Sequence, residues 1–91
     1  MNVSATYARN VVMGYDITVE VHANGSASIS SVDTVLDGFT IGSGGLDPDT
    51  TSYQRVFRQV GSYTPGAHHK LVVRVFDDKG NLTNHVLEWD D

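Results

Sequence analysis

The chain has no cysteine among its 91 residues and only two prolines. Without thiols there is no disulfide framework, no thiolate zinc centre and no cysteine nucleophile. No apolar run approaches the roughly 20 residues of a membrane-spanning helix, and the first residues lack the basic-then-apolar order of a signal peptide. Positive charge is scarce: Lys and Arg number 6 against 11 Asp and Glu, a net charge of −5. A chain with no basic cluster cannot displace the counterions of a phosphate backbone, which excludes nucleic acid as a partner. The same shortage disfavours anionic membrane surfaces, and no membrane insertion is expected. Apolar spacing of three and four residues is missing throughout, so no amphipathic helix is expected, and no repeat is visible.

What remains is an ordinary globular composition, 40% hydrophobic and 19% charged, sufficient for one domain over residues 1–91. The charge is unevenly placed. Residues 1–50 carry Asp16, Glu20, Asp33, Asp37, Asp47 and Asp49 against Arg9 alone, whereas residues 51–91 are balanced, five of each sign.

Alternation with a period of two dominates the pattern. From Tyr15 to His22 every odd residue is apolar and every even one polar, the mark of a strand with one face in a core and one in water. Asn24-Gly25 ends it. A second strand is expected over about Ser30–Leu36, closing at Asp37-Gly38, a hairpin signal, with Phe39-Thr40-Ile41 as a brief return strand. Residues 42–49, with three glycines and a proline, read as a loop. Tyr53–Val60 is β-prone with a less regular alternation, His69–Asp77 alternates, and Asp78-Lys79-Gly80-Asn81 turns the chain into a last strand over about Leu82–Trp89. The first dozen residues, Val3, Ala5 and Tyr7 followed by Val11, Val12 and Met13, supply one more. The reading is an all-β sandwich of about seven antiparallel strands in two sheets. Its core is expected from Ile17, Val19, Val21, Val32, Leu36, Leu71, Val73, Val75 and Trp89.

Three segments, in order, resemble the bacterial immunoglobulin-like modules found in tandem in secreted adhesins and polysaccharide-degrading enzymes. They are Ser31-Val32-Asp33-Thr34-Val35-Leu36-Asp37-Gly38-Phe39-Thr40-Ile41-Gly42; Pro65-Gly66-Ala67-His68-His69 leading into Leu71-Val72-Val73-Arg74-Val75; and Asp77-Asp78-Lys79-Gly80-Asn81. Together they cover the last three-quarters of the chain. One departure stands out: the family's histidine falls on His69, which leaves one extra residue after Gly66 for a bulge or longer corner to absorb. The resemblance implies an immunoglobulin-like β-sandwich, no catalytic site and no cofactor. It also implies an extracellular or cell-surface location, with neighbouring domains or a protein as partner.

The residues themselves add little chemistry. His68 and His69 are adjacent, so on a strand they point to opposite faces and cannot share a metal ion. His22 and His85 lie on other expected strands, and His69 is expected to cap a corner through a backbone hydrogen bond. Asp47 with Asp49, and Asp77 and Asp78 with Asn81, are calcium candidates. The ligand series of an EF-hand is absent, and Asp or Asn at such positions ordinarily bonds to nearby amides. No nucleophile elbow or Ser/His/Asp arrangement stands out. Three sequons, at Asn2, Asn24 and Asn81, are attributed to chance. Phe39, Tyr53 and Tyr63 near loops are candidates for stacking on a sugar, while Trp89 is placed in the core.

One face has more apolar surface than a lone domain needs. If Leu71, Val73 and Val75 face the core, then Val72, Arg74 and Phe76 face outward, with Val35 on the neighbouring strand and Val86 on the last. These five residues form a candidate interface, with Arg74 and Phe76 as anchors. The function expected is a non-catalytic structural or adhesive module of a larger protein. The alternatives are a glycan- or calcium-binding domain, and a free-standing protein that self-associates as a homodimer through that apolar sheet face.

Overall fold

A computed structural model describes residues Met1–Asp91. The alternation read from the sequence becomes seven strands: β1 (Asn2–Arg9), β2 (Tyr15–His22), β3 (Ile29–Leu36), β4 (Phe39–Gly42), β5 (Ser52–Val60), β6 (His68–Asp77) and β7 (Leu82–Asp90). They form two antiparallel sheets, one in the order β1-β2-β5 and the other β4-β3-β6-β7. The protein is an all-β sandwich.

The core lies where the inward residues of the inner strands meet. Tyr15, Ile17, Val19 and Val21 of β2 face Ile29, Val32 and Leu36 of β3 and Leu71, Val73 and Val75 of β6, all of them buried. Trp89 and Phe57 close the layer. All nine expected core residues are there, joined by Tyr15, Ile29 and Phe57. Alternation in β5 is irregular for two reasons. Arg55 occupies an inward position, with its guanidinium 4.5 Å above the Phe57 ring. The register with β2 then jumps from Ile17–Phe57 to Tyr15–Val60, so Arg58 and Gln59 together oppose Asp16 in a bulge.

The Asp37-Gly38 hairpin takes positive φ at both residues, 51° and 84°, the mirror-image turn whose twist matches that of its flanking strands. Pairing of β6 with β7 runs unbroken from His68–Asp90 to Phe76–Leu82. The extra residue after Gly66 therefore sits in the corner, where the Ala67 N–H donates to the Thr64 carbonyl (2.9 Å).

One expectation needs correction. Val11, Val12 and Met13 are not strand residues: β1 stops at Arg9, and the three side chains project into solvent, Val11 fully. The cause is local. Asn10 Oδ1 accepts the N–H groups of Val12 and Met13, and the Asn10 N–H donates to the Gly14 carbonyl. Gly14 itself adopts φ 58° against the Val60 carbonyl, where a Cβ would lie 2.4 Å from the oxygen.

Candidate functional site

The five residues singled out from the alternation share the outer face of the four-stranded sheet. Register places Val35 opposite Val72 and Val72 opposite Val86, a row of valines across β3, β6 and β7. Two residues along, Arg74 lies between Asp33 and Asn84, and the next row is Ser31, Phe76 and Leu82. Val35, Val72 and Phe76 are half-buried, whereas Arg74 and Val86 are exposed. Arg74 forms no ion pair within 4 Å, even with Asp33 beside it. Leu82, which the sequence reading did not include, extends the patch: its side chain is 48% exposed, as is that of Val86.

A second cluster sits at one pole, where the Asp37-Gly38 turn, the 61–67 corner and the end of β7 converge. His69 is buried, and both of its ring nitrogens meet carboxylates: Nδ1 lies 2.6 Å from Asp37 Oδ2 and Nε2 2.7 Å from Asp91 Oδ2. With an acceptor on each side, the ring donates from both nitrogens as an imidazolium. Burial opposes that charge, but the hydrogen bonds to Asp37 and Asp91 outweigh it and raise the His69 pKa. Asp37 also accepts the Lys70 N–H (2.8 Å), and Asp91 accepts the Thr64 N–H (3.0 Å) and the Tyr15 hydroxyl. Burial pushes against ionisation of Asp91; the Tyr15 hydroxyl, the Thr64 amide and His69 reverse this and hold its carboxyl at about 2. Burial, reinforced by the Asp91 carboxylate, raises the Tyr15 hydroxyl, which stays protonated.

His69 thus departs from its expected role. It caps the corner through two carboxylates, which lie 32 and 22 residues away in sequence, and not through a backbone group. The opposite facing of the two adjacent histidines does hold: His68 is on the surface, hydrogen-bonded to Asp90 (2.6 Å) and Glu88 (3.3 Å), which raise its pKa. Tyr15, Trp89 and His69 pack edge-on or tilted around the cluster, and Tyr7 stacks on Trp89 at 4.1 Å. The Trp89 indole N–H is buried there without a hydrogen-bond partner. An imidazolium with both N–H groups committed has no lone pair to offer a proton or a metal ion, so His69 serves to tie three segments together.

The remaining candidates are placed as follows. The Asp77 carboxylate accepts the Asn81 side-chain amide and the Lys79 and Asn81 N–H groups, and these, with the Asn81 amide foremost, lower its pKa. Asp78 accepts the Ser28 N–H (3.1 Å), and Asp47 offers its carbonyl to Thr50 (2.7 Å). No three His, Asp or Glu side chains gather in a metal-binding arrangement. Of the aromatics, Tyr53 packs against the core, and Arg9 covers the Tyr63 ring at 3.4 Å. Phe39 is 76% exposed and rims a cleft of about 390 Å³ lined by Leu36, Asp37, Ile41, Ser62, Thr64 and His69.

No protein-family model matches the chain, and no curated protein matches it.

Proposed function

We propose that the chain is a non-catalytic structural or adhesive module of the bacterial immunoglobulin-like type, working as one part of a larger secreted or cell-surface protein. The observation that carries this reading is the shape of the molecule. It is a rod of 44 × 19 × 18 Å, and β1 begins at the pole opposite the one where β7 ends, since Asn2 pairs with His22 while Asp90 pairs with His68. Such a rod can be strung in series without crossing connections. The strand grouping supports the type: β1, β2 and β5 on one sheet and β3, β6 and β7 on the other correspond to the division of A, B, E from C, F, G in immunoglobulin sandwiches. Within this reading neighbouring domains join at the poles, and the outer face bearing Val35, Val72, Arg74, Phe76 and Val86 is left as the surface for a protein partner. The fold carries no function by itself, so the reading is tested directly. Two copies joined in tandem should give, by small-angle scattering, a particle approaching twice the 44 Å length; a side-by-side particle no longer than one copy refutes a serial role.

A second reading, glycan binding, is favoured by the exposed Phe39 ring at the rim of a mainly apolar cleft that also offers Asp37, Ser62 and Thr64. Calorimetric titration with soluble polysaccharides should then give binding that Phe39→Ala abolishes, and binding unaffected by that change excludes the cleft.

A further inference from the structure

Strand β7 is at the edge of its sheet, bonded to β6 alone, and no residue from Leu82 to Asp90 makes a backbone hydrogen bond outside the sheet. Its two ends define which of its backbone groups are free. The Asp77 N–H donates to the Asn81 carbonyl (3.0 Å) at one end, and the Asp91 N–H to the Ala67 carbonyl (2.8 Å) at the other. Bonded and non-bonded pairs alternate along an antiparallel ladder, and the register between these ends is unbroken. Thr83, His85, Leu87 and Trp89 therefore bond to β6, while Leu82, Asn84, Val86 and Glu88 turn their N–H and C=O groups to the open side. Leu82, Asn84 and Val86 also carry exposed side chains.

Open edges are usually blunted by lysine, proline, a bulge or short length. Among the other edges, β4 has four residues and a register shift, and β5 carries the bulge at Arg58–Gln59. The segment Leu82-Thr83-Asn84-His85-Val86-Leu87 has none of these devices. β1 is also long, but its outward face is Asn2, Ser4, Thr6 and Ala8, so pairing there would join no large aliphatic side chains.

We infer that β7 pairs antiparallel with β7 of a second copy, about a two-fold axis at Asn84, joining two four-stranded sheets into one. This axis sets Asn84 against Asn84 of the second copy, and Leu82 against its Val86 in both directions. These are residues whose backbone groups face the edge, so about six main-chain hydrogen bonds form. The side chains match as well. The row Val35, Val72, Val86 of one copy continues into Leu82 and Phe76 of the other, and the symmetry repeats this on the far side of the axis. Between the two apolar rows runs the polar row of Asp33, Arg74 and Asn84. Moving the axis to Thr83 or His85 sets Leu82 against Asn84 or Glu88, and an axis at Leu82 or Val86 leaves one apolar pair on the axis itself, so Asn84 is the axis that joins two apolar pairs. The second copy is the occupant because the register is self-complementary there. The inference rests on that register and not on the chain's place in a longer protein.

Analytical ultracentrifugation of the intact chain, up to millimolar concentration, tests it alongside amide hydrogen exchange. The expected mass rises with concentration from 9.9 kDa towards twice that value, and the amides of Leu82, Asn84 and Val86 gain protection together with it. Val86→Lys, at an exposed position that leaves the β6 pairing intact, should abolish the larger species without lowering the Tm measured at dilutions where the chain is a single copy. Because the chain has no cysteine, a single Asn84→Cys should cross-link to itself under mild oxidation, and Thr40→Cys on the opposite edge should not. A mass of one copy at every concentration overturns the inference. So does a dimer that survives Val86→Lys or leaves those three amides unprotected.

Discussion

Replacing His69 by alanine removes the imidazolium that joins Asp37 to Asp91, and its consequences can be worked from the geometry. The His69 side chain is 8% exposed and that of Asp91 2%, while Asp37 is 36% exposed and can turn to water. Asp91 keeps the Tyr15 hydroxyl and the Thr64 amide but loses its one cationic partner. Breaking a buried ion pair from one side costs about 3–5 kcal/mol, because the surviving charge remains desolvated. A folded domain of this size has a total stability of roughly 5–14 kcal/mol, so the loss is a large part of the whole. At about 4–8 °C per kcal/mol, Tm should fall by at least roughly 12 °C. The sign of the pH dependence follows from the two shifts. His69 has a raised folded pKa, so its contribution is complete below the unfolded value of about 6.5 and is lost as pH rises through the folded value. Asp91 is held at about 2 when folded, so its contribution is present above the ordinary carboxylate value and is lost as pH falls towards 2. The Tm difference between the chain and His69→Ala, followed by calorimetry, should therefore be widest between about pH 4 and 6.5 and narrow on either side. A difference below about 4 °C, or one flat from pH 4 to 9, refutes the account of His69 as a charged tie.

Four further substitutions separate backbone, core and surface effects. Gly38→Ala and Gly14→Ala both place a Cβ at positive φ, costing about 1–2 kcal/mol. Gly38 has open space around it and Gly14 the Val60 carbonyl at 2.4 Å, so urea unfolding should show Gly14→Ala to be distinctly the worse; equal costs would argue against that close approach. Ile17→Ala, at a fully buried site in β2, should destabilise by about 2–5 kcal/mol, and a loss under 1 kcal/mol would mean that the core is not packed as described. Phe76→Asp on the outer face should leave the circular dichroism spectrum unchanged; unfolding would show that the β6 register is reversed.

The strands were legible because a half-buried sheet writes its burial into alternate residues. From Tyr15 to Val21 and from Leu71 to Val75, the odd-numbered apolar positions are those found buried. The turns were legible where backbone geometry restricts the residue, as at Asp37-Gly38. The same logic failed at Val11–Met13, where β-prone residues sit in a loop because Asn10 and Gly14 shape the backbone there. It also weakened in β5, where an inward Arg55 and a bulge disturb the period. The outer-face residues could be selected from the sequence since they are the complement of the core set, although Leu82 was left out.

By itself, then, the sequence determined the two-faced strands, their order along the chain and nine of the core residues, since each of these depends on neighbours a few positions away. Only the tertiary structure decided which strands share a sheet, which edge is left open, and what His69 does. Its carboxylate partners come from a hairpin turn and from the residue that follows β7, brought together only when the two sheets close over Tyr15 and Trp89. An ion pair buried between distant segments leaves no periodic trace, because its stability comes from desolvation and geometry that exist only once the chain has folded.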